Sequence, residues 1–520
     1  MTSDTPRPEF DYVVVGGGTA GAVVAARLSE DPDVSVCVVE AGPSDAGDDN
    51  ILRLDRWMAL LESGYDWDYP VEPQANGNSF LRHARAKVLG GCSSHNSCIA
   101  FWAPAEDLDE WAATGCAGWS AADCFPLYRR LENNDAPGDH HGRSGPVTLR
   151  TVPPKDPCGR ALLEACAAAG IPTTPFNTGT TVVRGAHWFQ INARPDGTRS
   201  SASVSYLHPV LGERPNLEVR TGIQARRLLF ADDGRCTGVE YLEPDTIHTG
   251  VVGARREVIV SCGAIDSPKL LMLSGIGPAG HLRDVGIDVR VDAPGVGSHL
   301  QDHPEGVIMW EAKQPMVTSS TQWWEIGVFA DTEPGLDRPD LMFHYGSVPF
   351  DMNTYRRGYP TSDNAFCLTP NVTRARSTGT VRLRTRDFRD KPKVDPRYFT
   401  HDHDVRVMTY GLRLAREIVA QAPMADWAGA ELAPGPGATS DDELFAYIRE
   451  THNTVYHPAG TVRMGADSAP DAPLDARLRV KGVRGLRVAD ASVMPFLTAV
   501  NPCITTMMIG EKCAELIRAG

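Results

Sequence analysis

Three glycines and one glutamate carry the first chemistry that can be read from the chain. Gly16, Gly18 and Gly21 form a G-x-G-x-x-G spacing, and Glu40 follows 22 positions after Gly18. In a dinucleotide-binding turn the first glycine permits the tight bend, the second lets the backbone approach a pyrophosphate, and the third lets helix and strand pack closely. The phosphates would rest on the positive N-terminus of the helix. A glutamate placed to accept from ribose hydroxyls argues for an adenosine without a 2′-phosphate. The surrounding residues supply the elements such a site needs. Residues 11–15 are a short β-branched apolar run that stops at Gly16-Gly17-Gly18. Small and apolar residues then recur at helical spacing from Ala20 to Ser29, and residues 34–39 make a second buried strand ending on Glu40.

A second segment, residues 82–101, contains the turn Gly90-Gly91-Cys92-Ser93-Ser94, whose small side chains and open amides suit close approach to a planar ring or a phosphate. His95, Asn96 and Ser97 follow at once; taken alone, His95 reads as a loop histidine bonded to backbone. Residues 263–278 read as a Pro-started helix closed by glycine and packed on the sheet. Strand-like runs at 258–260 and 486–488, before Ser261-Cys262-Gly263 and Ala489-Asp490, imply a cofactor domain assembled from separated segments. Between them, residues 301–449 are rich in Trp, Met, Pro and His and read as a second domain. Pro434-Gly435-Pro436-Gly437 breaks regular structure there, and Ser440 with Glu443 makes a capping box ahead of Leu444 and Ile448. The first ten and last two residues are expected to be disordered. His140-His141 and His401-Asp402-His403 sit in polar, loop-like sequence and are not read as metal ligands.

Composition bounds the alternatives. At 520 residues, with 42% hydrophobic and 22% charged residues, the chain is a folded protein too long for a single core. Its net charge of −15 has the wrong sign for a phosphate backbone, which excludes nucleic acid and permits a small cationic ligand. Twelve cysteines without a C-x-x-C pair read as reduced thiols of a cytoplasmic protein. No apolar run of membrane length occurs, and Asp4, Pro6 and Pro8 stand where a secretory peptide would be apolar, so the expectation is a soluble protein without a membrane partner. A G-x-S-x-G elbow is absent, which disfavours a hydrolase. A symmetric homodimer is the expected assembly.

Residues 16–40, 82–101 and 263–278, with Asp490-Ala491-Ser492-Val493-Met494-Pro495, resemble the signatures of the glucose–methanol–choline oxidoreductases, a family of FAD enzymes. Gly91-Cys92-Ser93-Ser94-His95-Asn96-Ser97, His303-Pro304-Glu305, Trp323-Trp324, His344-Tyr345-Gly346 and Thr454-Val455-Tyr456-His457-Pro458 are similar to active-site segments of its choline-oxidising members, and the likeness runs on to Asn501. The resemblance implies an α/β fold: a Rossmann-like FAD-binding domain from 1–150, 195–300 and 450–520, and an α+β substrate-binding domain with an antiparallel sheet from 151–194 and 301–449. It implies FAD, covalently attached through His95, with Gly16, Gly18, Gly21, Glu40, Gly91, Ser94, Asn96 and Asp490 around it. It implies His457 and Asn501 at the reacting alcohol, with His344 and Ser97 beside them.

The implied reaction is oxidation of choline to betaine aldehyde and on to glycine betaine, hydride passing to flavin N5 and O2 becoming hydrogen peroxide. An alcohol gives up hydride readily only as its hydroxyl proton leaves, so a base must stand within about 2.6–3.2 Å of that oxygen. His457 fills that role in this reading, with Asn501 donating to the developing oxyanion and His344 fixing the oxygen. A quaternary ammonium is held by aromatic faces and a carboxylate. Trp57, Trp324 and Tyr456, with Met58 and Val455, would form the cage and Glu305 its anion, although by composition alone the tryptophans read as core and Glu305 as a solvated turn residue. Phe496-Leu497 and Cys503 replace more polar residues of the choline-oxidising members, which keeps neutral primary alcohols as an alternative; a hydroxynitrile lyase on the same scaffold is the more distant one.

Overall fold

The structure, a computed structural model, describes residues 8–178, 184–243, 248–316 and 321–520. The expectation of disorder for residues 1–7 lies outside them. Of the remaining terminal residues, Glu9 and Phe10 already belong to a strand, and at the other end Ala519 caps a helix that runs to Arg518.

The predicted strand–turn–helix–strand unit is present as β1 (Glu9–Val15), α1 (Gly21–Leu28) and β2 (Val36–Val39). Its valines are buried, each contributing roughly 1.5–3 kcal/mol on leaving water. β3 (Thr249–Val260) does two jobs. Its first half pairs antiparallel with the strand Cys236–Leu242. Its second half runs parallel between β1 and β4 (Leu486–Val488), with Val260 level with Val15 on one side and with Val488 on the other. Val15 is also level with Val39. Four parallel strands therefore end in one row, and the chain leaves them at Gly16, Glu40, Ser261 and Ala489. Ligands of open parallel sheets bind beyond such carboxyl ends.

Two glycines make the row possible. Gly16 has φ +98°, and a Cβ there would lie 2.4 Å from the Ser261 carbonyl oxygen. A Cβ on Gly21 would lie 2.0 Å from the Gly16 oxygen, so the helix can meet the strand only without a side chain. The segment after β3 departs from expectation. The helix α2 (Gly263–Leu273) starts five residues before Pro268, which lies inside it. The Ala264 carbonyl that Pro268 cannot serve accepts the Thr461 hydroxyl at 2.6 Å instead, which is how the helix tolerates an interior proline. Gly275, at φ +82°, follows its end.

The second sheet is antiparallel. Its order is Ala428–Ala433, Ile308–Ala312, Ala365–Val372, Leu341–Gly346, Trp324–Ala330 and Gly185–Trp188, with Pro304–Glu305 attached to Ala365–Val372 and to Asn453–Thr454. Its register places Glu305 opposite both Asn371 and Asn453. The helix Asp441–Thr451 begins with the predicted Ser440–Glu443 capping box. One apolar cluster surrounds the parallel sheet and α1; the other surrounds the antiparallel sheet and takes in Leu54, Trp57, Phe101 and Val500. Among the described residues no helix is long and apolar enough to cross a membrane.

Candidate active site

A cavity begins at the row of parallel strand ends and runs to the edge of the antiparallel sheet. Gly16, Gly18, Glu40, Gly91, His95, Asn96, Ser97 and Asp490 line it, and so do Trp57, Glu305, Trp324, His344, Val455, Tyr456, His457 and Asn501. Three expected site residues do not. Gly21 is packed behind Gly16. Ser94 turns inward, donating to the Leu89 carbonyl at 2.9 Å, so it braces the turn from beneath. Met58 packs against the second apolar cluster; it and Trp57 are neighbours in a 3₁₀ turn, Leu54–Leu60, where successive side chains point about 120° apart, and Trp57 takes the cavity side.

At the strand ends, Glu40 is buried and accepts the Gly17 amide at 2.9 Å and the Gly42 amide at 2.7 Å. Burial outweighs those bonds and pushes its carboxyl up to about 7. Asp490 accepts the Ser267 hydroxyl at 2.5 Å and the Gly263 amide at 2.9 Å, tying β4 to the start of α2. α1 has Ala20 at its N-cap and no side chain bonded to its leading amides. An alanine cap gives up about 1 kcal/mol against serine or aspartate, and Thr19 and Ala20 line the cavity. An uncapped helix start beside Gly16 and Gly18 fits a ligand that brings its own anion, such as a pyrophosphate.

His95 is 4% exposed, with Nε2 at 3.1 Å from the Leu60 carbonyl. Burial, then the positive charges of Arg199 and Arg85, push it down to about 3, so the ring is neutral. Arg199 donates to the Asn96 carbonyl and, at 3.3 Å, to the Cys98 sulfur, fixing the backbone that carries His95 to Ser97.

At the far end two histidines meet. His457 Nδ1 lies 2.9 Å from His303 Nδ1, so one proton serves both, and Nε2 has no protein partner among the described residues. Burial, followed by His303, His344 and Arg85, holds His457 well below the usual imidazole range. His344 Nδ1 lies 3.4 Å from Asn371 Nδ2 and 3.6 Å from Glu305 Oε1, and its Nε2 is buried without a partner. The Asn501 amide oxygen and Trp57 Nε1 are likewise buried and unpartnered. Buried polar atoms are normally satisfied, and these three belong to residues that line one cavity.

Glu305 is not a solvated turn residue: it is a strand residue only 5% exposed. Its Oε2 accepts from Asn453 Nδ2 at 3.4 Å, and its Oε1 lies 3.6 Å from His344 Nδ1. No cation neutralises it among the described residues. Trp57 and Trp324 are both buried, as core residues are, and both face the cavity. Trp324 meets Phe350 edge-on at 5.1 Å, and Trp57 lies 6.4 Å from Trp323. Asn501 sits in a loop whose Ala499 amide is accepted by the buried Asp107 at 2.7 Å. His303, Asn371 and Asn453 were not expected as site residues. His303 stands in the motif that holds Glu305, whereas Asn371 and Asn453 reach the site only through strand register, which leaves no local signal.

The comparisons with known proteins cover nearly the whole chain. Residues 10–305 and 375–510 match the N-terminal and C-terminal family models described as GMC oxidoreductase. The chain is 69% identical over 517 residues to choline oxidase of Arthrobacter globiformis, covering 98% of this chain and 94% of that one. It is 37% identical to the mitochondrial choline dehydrogenase of Mus musculus, covering 98% and 90%. Among solved structures, pyridoxine 4-oxidase from Mesorbium loti superposes with a TM-score of 0.91 at 31% identity, over 98% and 99% of the two chains.

Proposed function

The chain belongs to the GMC oxidoreductase family, and from that premise we propose that it uses FAD to oxidise choline to betaine aldehyde and then, through the aldehyde hydrate, to glycine betaine. The observation that carries the reading is one cavity joining an uncapped dinucleotide turn at Gly16–Gly18 to a buried, cation-free Glu305 beside His457 and Asn501. When bound, FAD supplies the acceptor for hydride leaving the alcohol carbon and passes the electron pair to O2, which yields hydrogen peroxide.

The chain's own residues do the rest. Gly16, Gly18, Gly91, Glu40, Asn96 and Asp490 hold the dinucleotide, and His95 is the residue joined to it. Trp57, Trp324 and Tyr456, with Val455, enclose the trimethylammonium group, and Glu305 supplies its counter-charge. That placement leaves the hydroxyl between His457, Asn501 and His344. His457 is neutral because burial opposes its charging, and with Nδ1 engaged by His303 it offers Nε2 as the proton acceptor. Positioned proton transfer of this kind contributes on the order of 10²–10⁴ in rate. His344 and Asn501 donate to the oxygen as negative charge builds there, and one such donor is worth about 2.7–4 kcal/mol. Ser97 stands at the same oxygen. The hydrate of the aldehyde presents an equivalent hydroxyl, so the same groups serve the second oxidation. Residues 1–150, 195–300 and 450–520 then form the FAD-binding domain and 151–194 and 301–449 the substrate domain. The twelve free thiols support a cytoplasmic setting.

The test is peroxide formation across choline, an aliphatic primary alcohol and a benzylic alcohol. Choline is expected to give much the highest kcat/KM; a neutral alcohol leading instead would overturn the substrate assignment. For His95, acid-precipitated protein is expected to stay yellow and the His95→Ala variant to release its colour.

A further inference from the structure

We propose that Asp302, which does not line the cavity, is a positioning residue that sets the direction of the His457 imidazole. The proposal rests on the reading of His457 as the base. Asp302 is 4% exposed. Its Oδ1 accepts the backbone N–H of His457 at 2.8 Å, and its Oδ2 accepts the hydroxyls of Thr454 and Tyr398. Thr454 Oγ1 in turn accepts the N–H of Tyr456 at 2.8 Å. One carboxylate thus takes two consecutive amides, one directly and one through a hydroxyl.

Between those two amides the backbone is unusual. Tyr456 has φ +62°, a left-handed conformation that a non-glycine residue keeps only where its surroundings over-determine it. Arg85 Nη2 clamps the Tyr456 carbonyl from the other side. A turn at this position reverses the chain between Tyr456, which lines the cage, and His457, which must point at the hydroxyl. If the turn relaxed to ordinary extended backbone, the two side chains could not both face the cavity. Among the described residues no lysine or arginine pairs with the carboxylate. The His83 ring lies 3.8 Å from Oδ2 and 3.0 Å from the Tyr398 oxygen, and burial pushes it down to about 4. Three neutral donors therefore satisfy Asp302, and each of them belongs to the turn or to Tyr398 beneath it.

The test uses Asp302→Asn, Asp302→Ala and Tyr398→Phe in the holoenzyme, each also combined with His457→Ala. Asp302→Ala is expected to lower kcat for choline about a hundredfold, the scale of an ångström of misplacement, with KM changing by less than about threefold. Asp302→Asn keeps an acceptor for the His457 amide but turns an N–H toward two hydroxyls, and about a tenfold loss is expected; Tyr398→Phe loses less. In the His457→Ala background the same substitutions are expected to cost less than about twofold, because nothing is left to aim. Asp302→Asn is nearly isosteric, so it and Tyr398→Phe carry the test if Asp302→Ala does not fold. Wild-type kcat in Asp302→Asn, or a loss undiminished in the His457→Ala background, would overturn the proposal. A His457→Ala enzyme within about tenfold of wild type would instead remove the base, and the proposal with it.

Discussion

At the parallel-sheet end the cavity wall is mostly backbone: the Gly16 turn, the bare start of α1, and Glu40 already bonded to two amides. At the antiparallel end the wall is side chains, and His344 Nε2, Asn501 Oδ1 and Trp57 Nε1 are buried without partners. The first surface presents main-chain amides that a ligand's own anion completes; the second keeps side-chain polar groups desolvated in advance. Binding of a constant cofactor needs shape, which main chain supplies. Chemistry on a reacting oxygen needs donors and acceptors at full strength, and unsatisfied groups in a dry site supply those.

Substitution at either end tests whether the two surfaces work separately. Gly21→Val would drive carbon into the Gly16 carbonyl, and the expected outcome is complete loss of bound flavin; protein purified yellow would show that backbone shape is not what holds the cofactor. Next in size is His457→Ala, expected to cost about 10²–10⁴ in kcat while the flavin absorbance and the thermal midpoint stay near wild type. A loss of flavin in this variant would erase the division between the two ends. Glu305→Gln comes third. It is expected to raise KM for choline on the order of a hundredfold and to leave an uncharged analogue nearly unaffected, and equal effects on both would remove the cage.

The smallest effect is in stability against pH. His452 is buried near the antiparallel end and pushed down to about 4, below its unfolded value near 6.5. A depressed histidine contributes stability that is full above the unfolded value and is lost as pH falls toward the folded one, at up to about 1.4 kcal/mol per pH unit. Glu40 at the other end, raised to about 7, works in the opposite sense. Thermal melts from pH 7 to 4.5 should therefore fall less steeply for His452→Gln than for wild type, and parallel curves would show that the histidine does not titrate with unfolding.

What could be read beforehand follows the same division. The βαβ unit was legible because its signals are local: a β-branched run, three glycines at fixed spacing and an acid at the next strand end. The capping box at Ser440–Glu443 is equally local. Pro268 misled because a proline usually opens a helix, and only the distant Thr461 hydroxyl makes its interior position tolerable. Glu305, His344 and His457, proposed at the substrate, were expected there only by resemblance to a family, since their types alone have ordinary structural uses. Met58 was expected in the cage as soft packing, and it packs instead against the second apolar cluster, since the 120° step of the 3₁₀ turn separates it from Trp57. Asn371 and Asn453 stayed hidden because their closeness to Glu305 exists only in the sheet.

The double pairing of β3 bears on how the chain reaches this state. Its outer half closes with a neighbouring hairpin, but its inner half must wait for Leu486–Val488, more than 200 residues later. Until the ribosome has released nearly the entire polypeptide, that edge is an open template of unpaired amides, and the parts bearing His457 and Asn501 do not yet exist beside it. Such long-range closure is slow and exposes nascent protein to aggregation, so truncation of the final 40 residues should yield inclusion bodies rather than a smaller soluble flavoprotein.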